Sequence, residues 1–238
     1  MRLLVISPTA YPPHAEKMLA TARRVGIEPM LYGLNSHHPH GKDYQGTDIV
    51  KILETRKDAE YVMGVDAPDV AFLAGEEEIM NKFSLFTYPF LMSAEREGVS
   101  GLGNAKNELV RQCMADGGYM PHPNIGGWIG RRDYVLDTFN AAERLYKGKE
   151  DDPAHPYSYD NHYQWLVMLK AWGGGPEFHI DTKCVIFQSM NYTACLEMDG
   201  KRIRNTKTGT VPPILHYHGD PTRGAFNKMV EFILSQVG

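Results

Sequence analysis

An apolar run, Leu3-Leu4-Val5-Ile6-Ser7, opens the chain and reads as a buried strand. Ala15, Met18, Leu19, Ala22 and Val25 then recur at helical spacing, and Gly26 is a natural stop. Met30-Leu31-Tyr32 reads as a second strand, closed by Gly33. A strand, a helix and a second strand in succession place the two strands side by side in parallel. A parallel sheet needs helices on both of its faces. The chain is thereby directed to an α/β architecture and away from an all-β core.

The same pattern continues downstream. Thr47 is a plausible N-cap for a helix carrying Ile49, Val50, Ile52 and Leu53, and Tyr61–Val65 reads as the next strand. Glu76–Phe83 reads as a short helix, Leu85–Tyr88 as a strand, and Leu102–Asp116 as weakly helical. Asn124–Gly130 is a glycine-spaced turn running into a strand, followed by a helix over Arg132–Tyr146. Asp160 caps an expected helix over Asn161–Trp172. Short strands are expected around Val185–Phe187 and Ile214–His216, and a last amphipathic helix over Thr222–Val237. No repeat, low-complexity tract or linker interrupts this pattern, so residues 1–238 are expected to form one domain.

A net charge of -4 at pH 7 gives no global attraction to nucleic acid or acidic membranes. No apolar run is long enough to span a bilayer, and the apolar start, ending at Pro8, is too short for a signal h-region. Three cysteines, Cys113, Cys184 and Cys195, fit a reducing compartment better than a disulfide scaffold. A cytoplasmic protein with no membrane partner is the expectation.

The stretch that carries chemistry is Asp66-Ala67-Pro68-Asp69, directly after the Tyr61–Val65 strand. Ligands of open parallel sheets bind beyond the carboxyl ends of the strands. Two carboxylates there suit Mg²⁺ or Mn²⁺, which prefer oxygen donors and keep positions open for phosphate oxygens. A solvated turn would use the same residues, since Asp and Pro both favour turns. Near the C-terminus, Leu215-His216-Tyr217-His218-Gly219-Asp220-Pro221-Thr222-Arg223 offers imidazoles and then a helix start with Arg223, an anion-binding arrangement. A strand end followed by an N-cap turn is the plainer alternative. Asn124 with Gly126-Gly127 allows close backbone approach to a ligand, or a simple bulge. Asp160, in Tyr159-Asp160-Asn161-His162, is a candidate base or an ordinary cap.

A rival arrangement uses His179, Asp181, then His216 or His218 and Arg223, in the order of a non-haem iron oxygenase triad. It requires an all-β fold that the strand–helix–strand opening opposes. His37, His38 and His40 lie together in a polar loop.

Taken in order, these pieces resemble the glycosyltransferase domain of the procollagen-lysine hydroxylase/glycosyltransferase (PLOD-like) family and its viral and bacterial relatives. Asp66–Gly75 is similar to that family's Asp-x-x-Asp-Val-x-x-Ala-Gly, and Phe86–Glu95 to an interrupted Leu-Phe-Ser-Ala-Glu strand. Asn124–Gly130 is similar to Asn-Ser-Gly-Gly-Phe-Ile-Gly, and Ile180–Asn191 to Leu-Asp-x-Lys-x-x-Ile-Phe-Gln-Asn-Leu-Asn. Arg204-Asn205 and Gly219–Arg223 resemble Arg-Asn and His-Gly-x-Gly-Pro-Thr-Lys. The departures are Tyr159 in place of an acid, Arg223 in place of a lysine, and one residue fewer between the histidine and Pro-Thr. The shortening makes His218 the expected third metal ligand, with His216 as the fallback.

The resemblance implies an α/β GT-A fold with a mostly parallel central sheet flanked by helices. It also implies a UDP-sugar donor, Mn²⁺ (or Mg²⁺) on Asp66, Asp69 and His218, and transfer of a hexose to a hydroxyl. Ser7, Thr9 and Gly33 would lie near uridine and ribose. Asn124, Gly127, Gln188 and Asn191 would line the sugar and acceptor side, with Asp160 nearest the chemistry. Gly219 and Arg223 would face the phosphates. The acceptor is open: a glycan, a small molecule, a protein side chain or a hydroxylated DNA base. A basic face around Arg111, Arg131 and Arg132 would favour DNA; the negative net charge opposes it. A non-catalytic nucleotide-sugar binding module is the alternative of a different class.

Overall fold

The computed structural model describes residues 2–9, 11–34, 45–96, 103–115, 117–146, 166, 169–170, 175–190, 195–200, 202–217 and 223–235. Its strands are β1 (Leu3–Pro8), β2 (Met30–Tyr32), β3 (Tyr61–Val65), β4 (Val70–Phe72), β5 (Phe90–Glu95), β6 (His122–Arg131), β7 (His179–Ile180), β8 (Phe187–Ser189), β9 (Leu196–Asp199), β10 (Arg202–Asn205) and β11 (Ile214–His216). Its helices are α1 (Glu16–Arg24), α2 (Gln45–Thr55), α3 (Glu76–Phe83), α4 (Gly103–Ala115), α5 (Arg132–Tyr146) and α6 (Arg223–Ser235).

The central sheet has the order β2-β1-β3-β6-β5-β7. β1 runs parallel to β2 and β3, and β7 parallel to β5, while β6 is antiparallel to both its neighbours. A smaller sheet, β4-β11-β8, pairs β11 antiparallel to β4 and parallel to β8. The α/β expectation, with a mostly parallel sheet between helices, is met.

Period-two alternation divides the sheet residues between two apolar layers. Leu4, Ile6, Val62, Phe90 and Trp128 pack under α2 and α5 through Leu53, Val135 and Phe139. Val5, Met63, Val65, Leu91 and Ile129 pack against Met18 and Ala22 of α1, Ile79 of α3, and Val70 and Phe72 of β4. Burial of each large side chain here contributes about 1.5–3 kcal/mol. The small sheet thus sits against the second layer, and α6 covers its other side through Phe226, Val230 and Ile233 on Ala71 and Leu215. This packing fixes β4 and β11 beside the end of β3.

Two expected strands shift. Leu85–Tyr88 is not a strand: the segment turns, Leu85 is 74% exposed, and pairing begins at Phe90. Pro89 lacks the N–H that a ladder needs, and the Phe86 and Tyr88 rings pack against the His179 ring of β7 instead. Val185 and Ile186 precede β8, which begins at Phe187; their N–H groups donate to the Asp181 carboxylate. α2 begins at Gln45, ahead of the proposed Thr47 cap. The helix expected over Asn161–Trp172 lies mostly outside the described residues; Leu166, Leu169 and Lys170 are helical within it. The three cysteines are buried free thiols.

Candidate functional site

The carboxyl ends of β1, β2, β3 and β5 lie along one edge of the central sheet. Asp66 follows β3 directly, and its N–H donates to the Gly126 carbonyl at 3.1 Å. Asp69 immediately precedes β4, and its carbonyl accepts the Tyr217 N–H at 2.8 Å. His216 ends β11, in register with Val70 on β4 and Ser189 on β8. The pairing of β4 with β11 therefore brings a C-terminal imidazole to two mid-chain carboxylates.

His216 Nε2 stands 3.6 Å from Asp66 Oδ2 and 3.8 Å from Asp69 Oδ1. These separations are too long for hydrogen bonds. They are close to those of three ligands sharing one cation, since metal–ligand bonds of about 2.1 Å place neighbouring donors roughly 3 Å apart. One donor atom from each of Asp66, Asp69 and His216 lies within 4.8 Å of the others. His216 is the floor of the site, 2% exposed, while the Asp66 and Asp69 side chains are 35% and 23% exposed. The open side leaves room for further ligands. Two carboxylates and one imidazole suit Mn²⁺ or a similar divalent ion. Burial alone would lower the His216 pKa; the Asp66, Asp69 and Glu95 carboxylates more than reverse this and hold it above its ordinary value.

The histidine that the structure places here is His216, the fallback of the sequence reading. His218 lies outside the described residues, as do Asp160, Asn191, Gly219 and the His37, His38 and His40 group. Arg223 opens α6, and its side chain is likewise outside them.

Gly126 shapes the cradle. A Cβ at this position would stand 2.5 Å from His216 Nε2 and 2.7 Å from Asp66 Oδ2, and closer still to His216 Cε1. Only a glycine leaves both ligands where they are. The neighbouring Gly127 faces the Phe187 ring instead, with a virtual Cβ 2.7 Å from Phe187 Cδ1, so its place is a packing contact.

Ser7 and Thr9 lie at the same edge, 0% and 8% exposed. Thr9 N–H donates to the Tyr32 carbonyl, and its hydroxyl bonds with Tyr11, which ties the ends of β1 and β2 together. Gly33 turns the chain after β2 with φ +73°, a left-handed conformation that glycine accepts without strain.

Gln188 is a correction. The family resemblance places it on the sugar and acceptor side, but it is fully buried. Its amide accepts from Asn205 at 2.9 Å and donates to the Ser189 carbonyl at 2.7 Å. By strand alternation it shares the face of Leu215, opposite to that of His216. It anchors the turn after β10 rather than facing the carboxylates. The oxygenase triad is also overturned: Asp181 accepts three backbone N–H bonds, from Val185, Ile186 and Phe187, and the fold is not all-β.

Two residues escaped the sequence reading. Tyr32 ends β2; burial pushes its phenol pKa well up, and the nearby charges of Asp66 and Asp48 push it further. Glu95 ends β5 and is 1% exposed, yet its charge acts on His216. The signal available for both was position, at the carboxyl end of a central strand.

No family model matches the chain, and no curated protein matches it in sequence. Its fold is similar to a solved structure described as a glycosyltransferase involved in the glycosylation of the major capsid of PBCV-1. The TM-score is 0.58 at 11% sequence identity, covering 98% of this chain and 100% of that one. The chain therefore shares the fold of that glycosyltransferase, consistent with the GT-A type.

Proposed function

We propose that this protein is a metal-dependent glycosyltransferase that moves a hexose from a UDP-sugar to a hydroxyl acceptor. The observation that carries the reading is the convergence of Asp66, Asp69 and His216 at the carboxyl edge of a GT-A-like sheet. The resemblance to the procollagen-lysine hydroxylase/glycosyltransferase family supports the choice of donor. Asp66 and Asp69 would hold Mn²⁺ or Mg²⁺ through oxygen and His216 through Nε2, with Gly126 making the space. The bound ion would stabilise the negative charge that develops on a departing diphosphate. Two carboxylates balance the charge of one divalent ion, so the site has no net charge against the phosphates. Ser7, Thr9 and Gly33 are assigned to the nucleoside side. Gly219, Arg223 and the start of α6 are assigned to the phosphates, where a helix N-terminus adds partial positive charge. Asn191 is assigned to the sugar side and Asp160 to the reacting carbon.

The acceptor is a glycan, a small molecule or a protein side chain. A DNA acceptor is disfavoured: of the basic face around Arg111, Arg131 and Arg132, Arg111 is paired with Glu108 at 2.6 Å and Arg132 is engaged by Asp133 and the Leu53 carbonyl, which leaves the exposed Arg131, and the net charge is -4. No helix among the described residues is long and apolar enough to cross a membrane.

The test is UDP release from a panel of UDP-sugars, with and without Mn²⁺, alongside thermal shifts for the same mixtures. Mn²⁺-dependent UDP release is the expected result. Stabilisation without turnover would instead indicate a binding module, and neither effect would refute the assignment.

A further inference from the structure

The β6 strand is irregular at the point where it reaches the metal ligands. On β5, Met92 pairs with Trp128 and the next residue, Ser93, pairs with Asn124. Ile125, Gly126 and Gly127 therefore have no counterpart on β5, while on the other side Gly127 still pairs with Val65 of β3. Such a bulge re-aims the chain locally. Here it presses the Gly126 Cα against His216 and Asp66.

Side chains at the end of β5 and the start of β6 hold the bulge. Asn124 Oδ1 accepts the Gly126 N–H at 2.7 Å. Asn124 Nδ2 donates to Glu95 Oε2 at 3.2 Å. The Ser93 hydroxyl donates to the Asn124 carbonyl at 2.7 Å. The Gly126 carbonyl in turn accepts the Asp66 N–H. An unbroken chain of hydrogen bonds thus runs from Glu95 through Asn124 and Gly126 to Asp66.

We infer that Asn124 is a positioning residue of the metal centre: with Glu95 and Ser93 behind it, its amide sets the bulge that fixes where Asp66 and His216 stand. The inference rests on the metal reading above, and it differs from a role in touching the donor. Asn124 gives its carbonyl oxygen to the Gly126 N–H and one amide hydrogen to Glu95, and these two bonds fix the orientation of its amide against the bulge. Partners that orient metal ligands typically alter metal affinity by about 10–100-fold when removed.

The experiment measures Mn²⁺ affinity of the free protein by the electron paramagnetic resonance of unbound Mn²⁺, with no nucleotide present, and melting temperature in parallel. UDP affinity is then measured at saturating Mn²⁺. Asn124→Ala is expected to weaken Mn²⁺ binding about 10–100-fold, with UDP affinity at saturating Mn²⁺ within about threefold of wild type. Glu95→Gln keeps an acceptor for the Asn124 amide and is expected to bind Mn²⁺ within about threefold of wild type, whereas Glu95→Ala loses about tenfold. Ser93→Ala, the mildest change, is expected to lose about threefold and covers the case in which Asn124→Ala does not fold.

Wild-type Mn²⁺ affinity in folded Asn124→Ala, or in both Ser93→Ala and Glu95→Ala, overturns the inference while leaving the metal reading intact. So does a loss of UDP affinity with Mn²⁺ affinity unchanged, which would mark a direct donor contact. A wild-type protein that binds no Mn²⁺ overturns the metal reading and this inference with it.

Discussion

Replacing Gly126 with alanine is the most direct test of the site's geometry. The added methyl would sit 2.5 Å from His216 Nε2 and 2.7 Å from Asp66 Oδ2. Non-bonded heavy atoms settle at about 3.5 Å or more, so one side must yield by about 1 Å. His216 is 2% exposed and cannot swing into solvent, and the Gly126 backbone is tied to Asp66 and Asn124. A metal site tolerates displacements of only about 0.2 Å in its bond lengths. The imidazole would leave the coordination sphere, and Mn²⁺ affinity should fall at least about 100-fold, or roughly 2.8 kcal/mol. Overpacking should also cost about 1–3 kcal/mol of stability, a melting shift of about 2–12 °C for a domain of this size. Gly130→Ala separates the two effects. Its Cβ would meet Val135 Cγ2 at 2.5 Å and the Pro89 carbonyl at 2.7 Å, at the far end of β6. It should lose similar stability and keep its metal affinity, as read by calorimetric Mn²⁺ titration. A folded Gly126→Ala protein with wild-type Mn²⁺ affinity, or equal affinity losses in both variants, would refute the geometry.

Asp66→Ala should abolish Mn²⁺-dependent UDP release while shifting the melting temperature by only a few degrees, because the side chain is partly open to solvent; undiminished turnover would count against the assignment. His216→Gln should remove Mn²⁺ binding and His218→Gln should largely preserve it, checked by the same titration; the reverse pattern would restore the histidine first expected from sequence. Mn²⁺ must displace a proton from His216, whose pKa is held above its ordinary value by its carboxylate neighbours, so apparent affinity should rise with pH and level off only above that raised pKa; an affinity flat from pH 6 to pH 8 would contradict this. Asp181 provides a pH effect on stability instead. Burial raises its pKa from 3.8 to about 6 despite three backbone N–H bonds. The folded state then binds the proton more tightly than the unfolded state, so stability is greatest below the unfolded pKa and falls as pH rises through about 6. Relative to Asp181→Asn, wild type should lose about 2–3 kcal/mol between pH 4 and pH 7 in urea unfolding; a constant difference would show that the amide hydrogen bonds outweigh burial.

The parts of the site that were legible in the sequence share a local signature. Leu3–Ser7 and Tyr61–Val65 are continuous apolar runs, and Asp66 and Asp69 follow one of them with a proline between. A residue just past a buried parallel strand has little freedom about where it lies, so its position could be reasoned without coordinates. The histidine was different. His216 and His218 are two apart on one strand pattern and so share a face on any extended reading. The choice between them depends on where β11 stops, and that is set by its pairing of His216 with Val70. The count of residues between the histidine and Pro-Thr pointed to His218 because a loop length carries no information about a strand's register.

The same reasoning explains why Glu95 and Tyr32 were missed while Gln188 was over-read. Each is an ordinary polar residue in a strand, and its role follows from a long-range neighbour. Glu95 matters because β5 lies beside β6 and meets Asn124, and Tyr32 because β2 brings it near Asp66. Gln188 turns inward because Ser189, one residue on, takes the face shared with His216. The Leu85–Tyr88 run failed in the opposite sense: its β propensity is real, but the segment turns and its aromatic rings pack against His179 instead of pairing. In each case strand type was a local property and strand use was not. Asn124 sits between these limits. Its glycine-rich context announced a bend, and only the mismatch between the pairings of β6 to β3 and to β5 shows that the bend presses on two metal ligands at once.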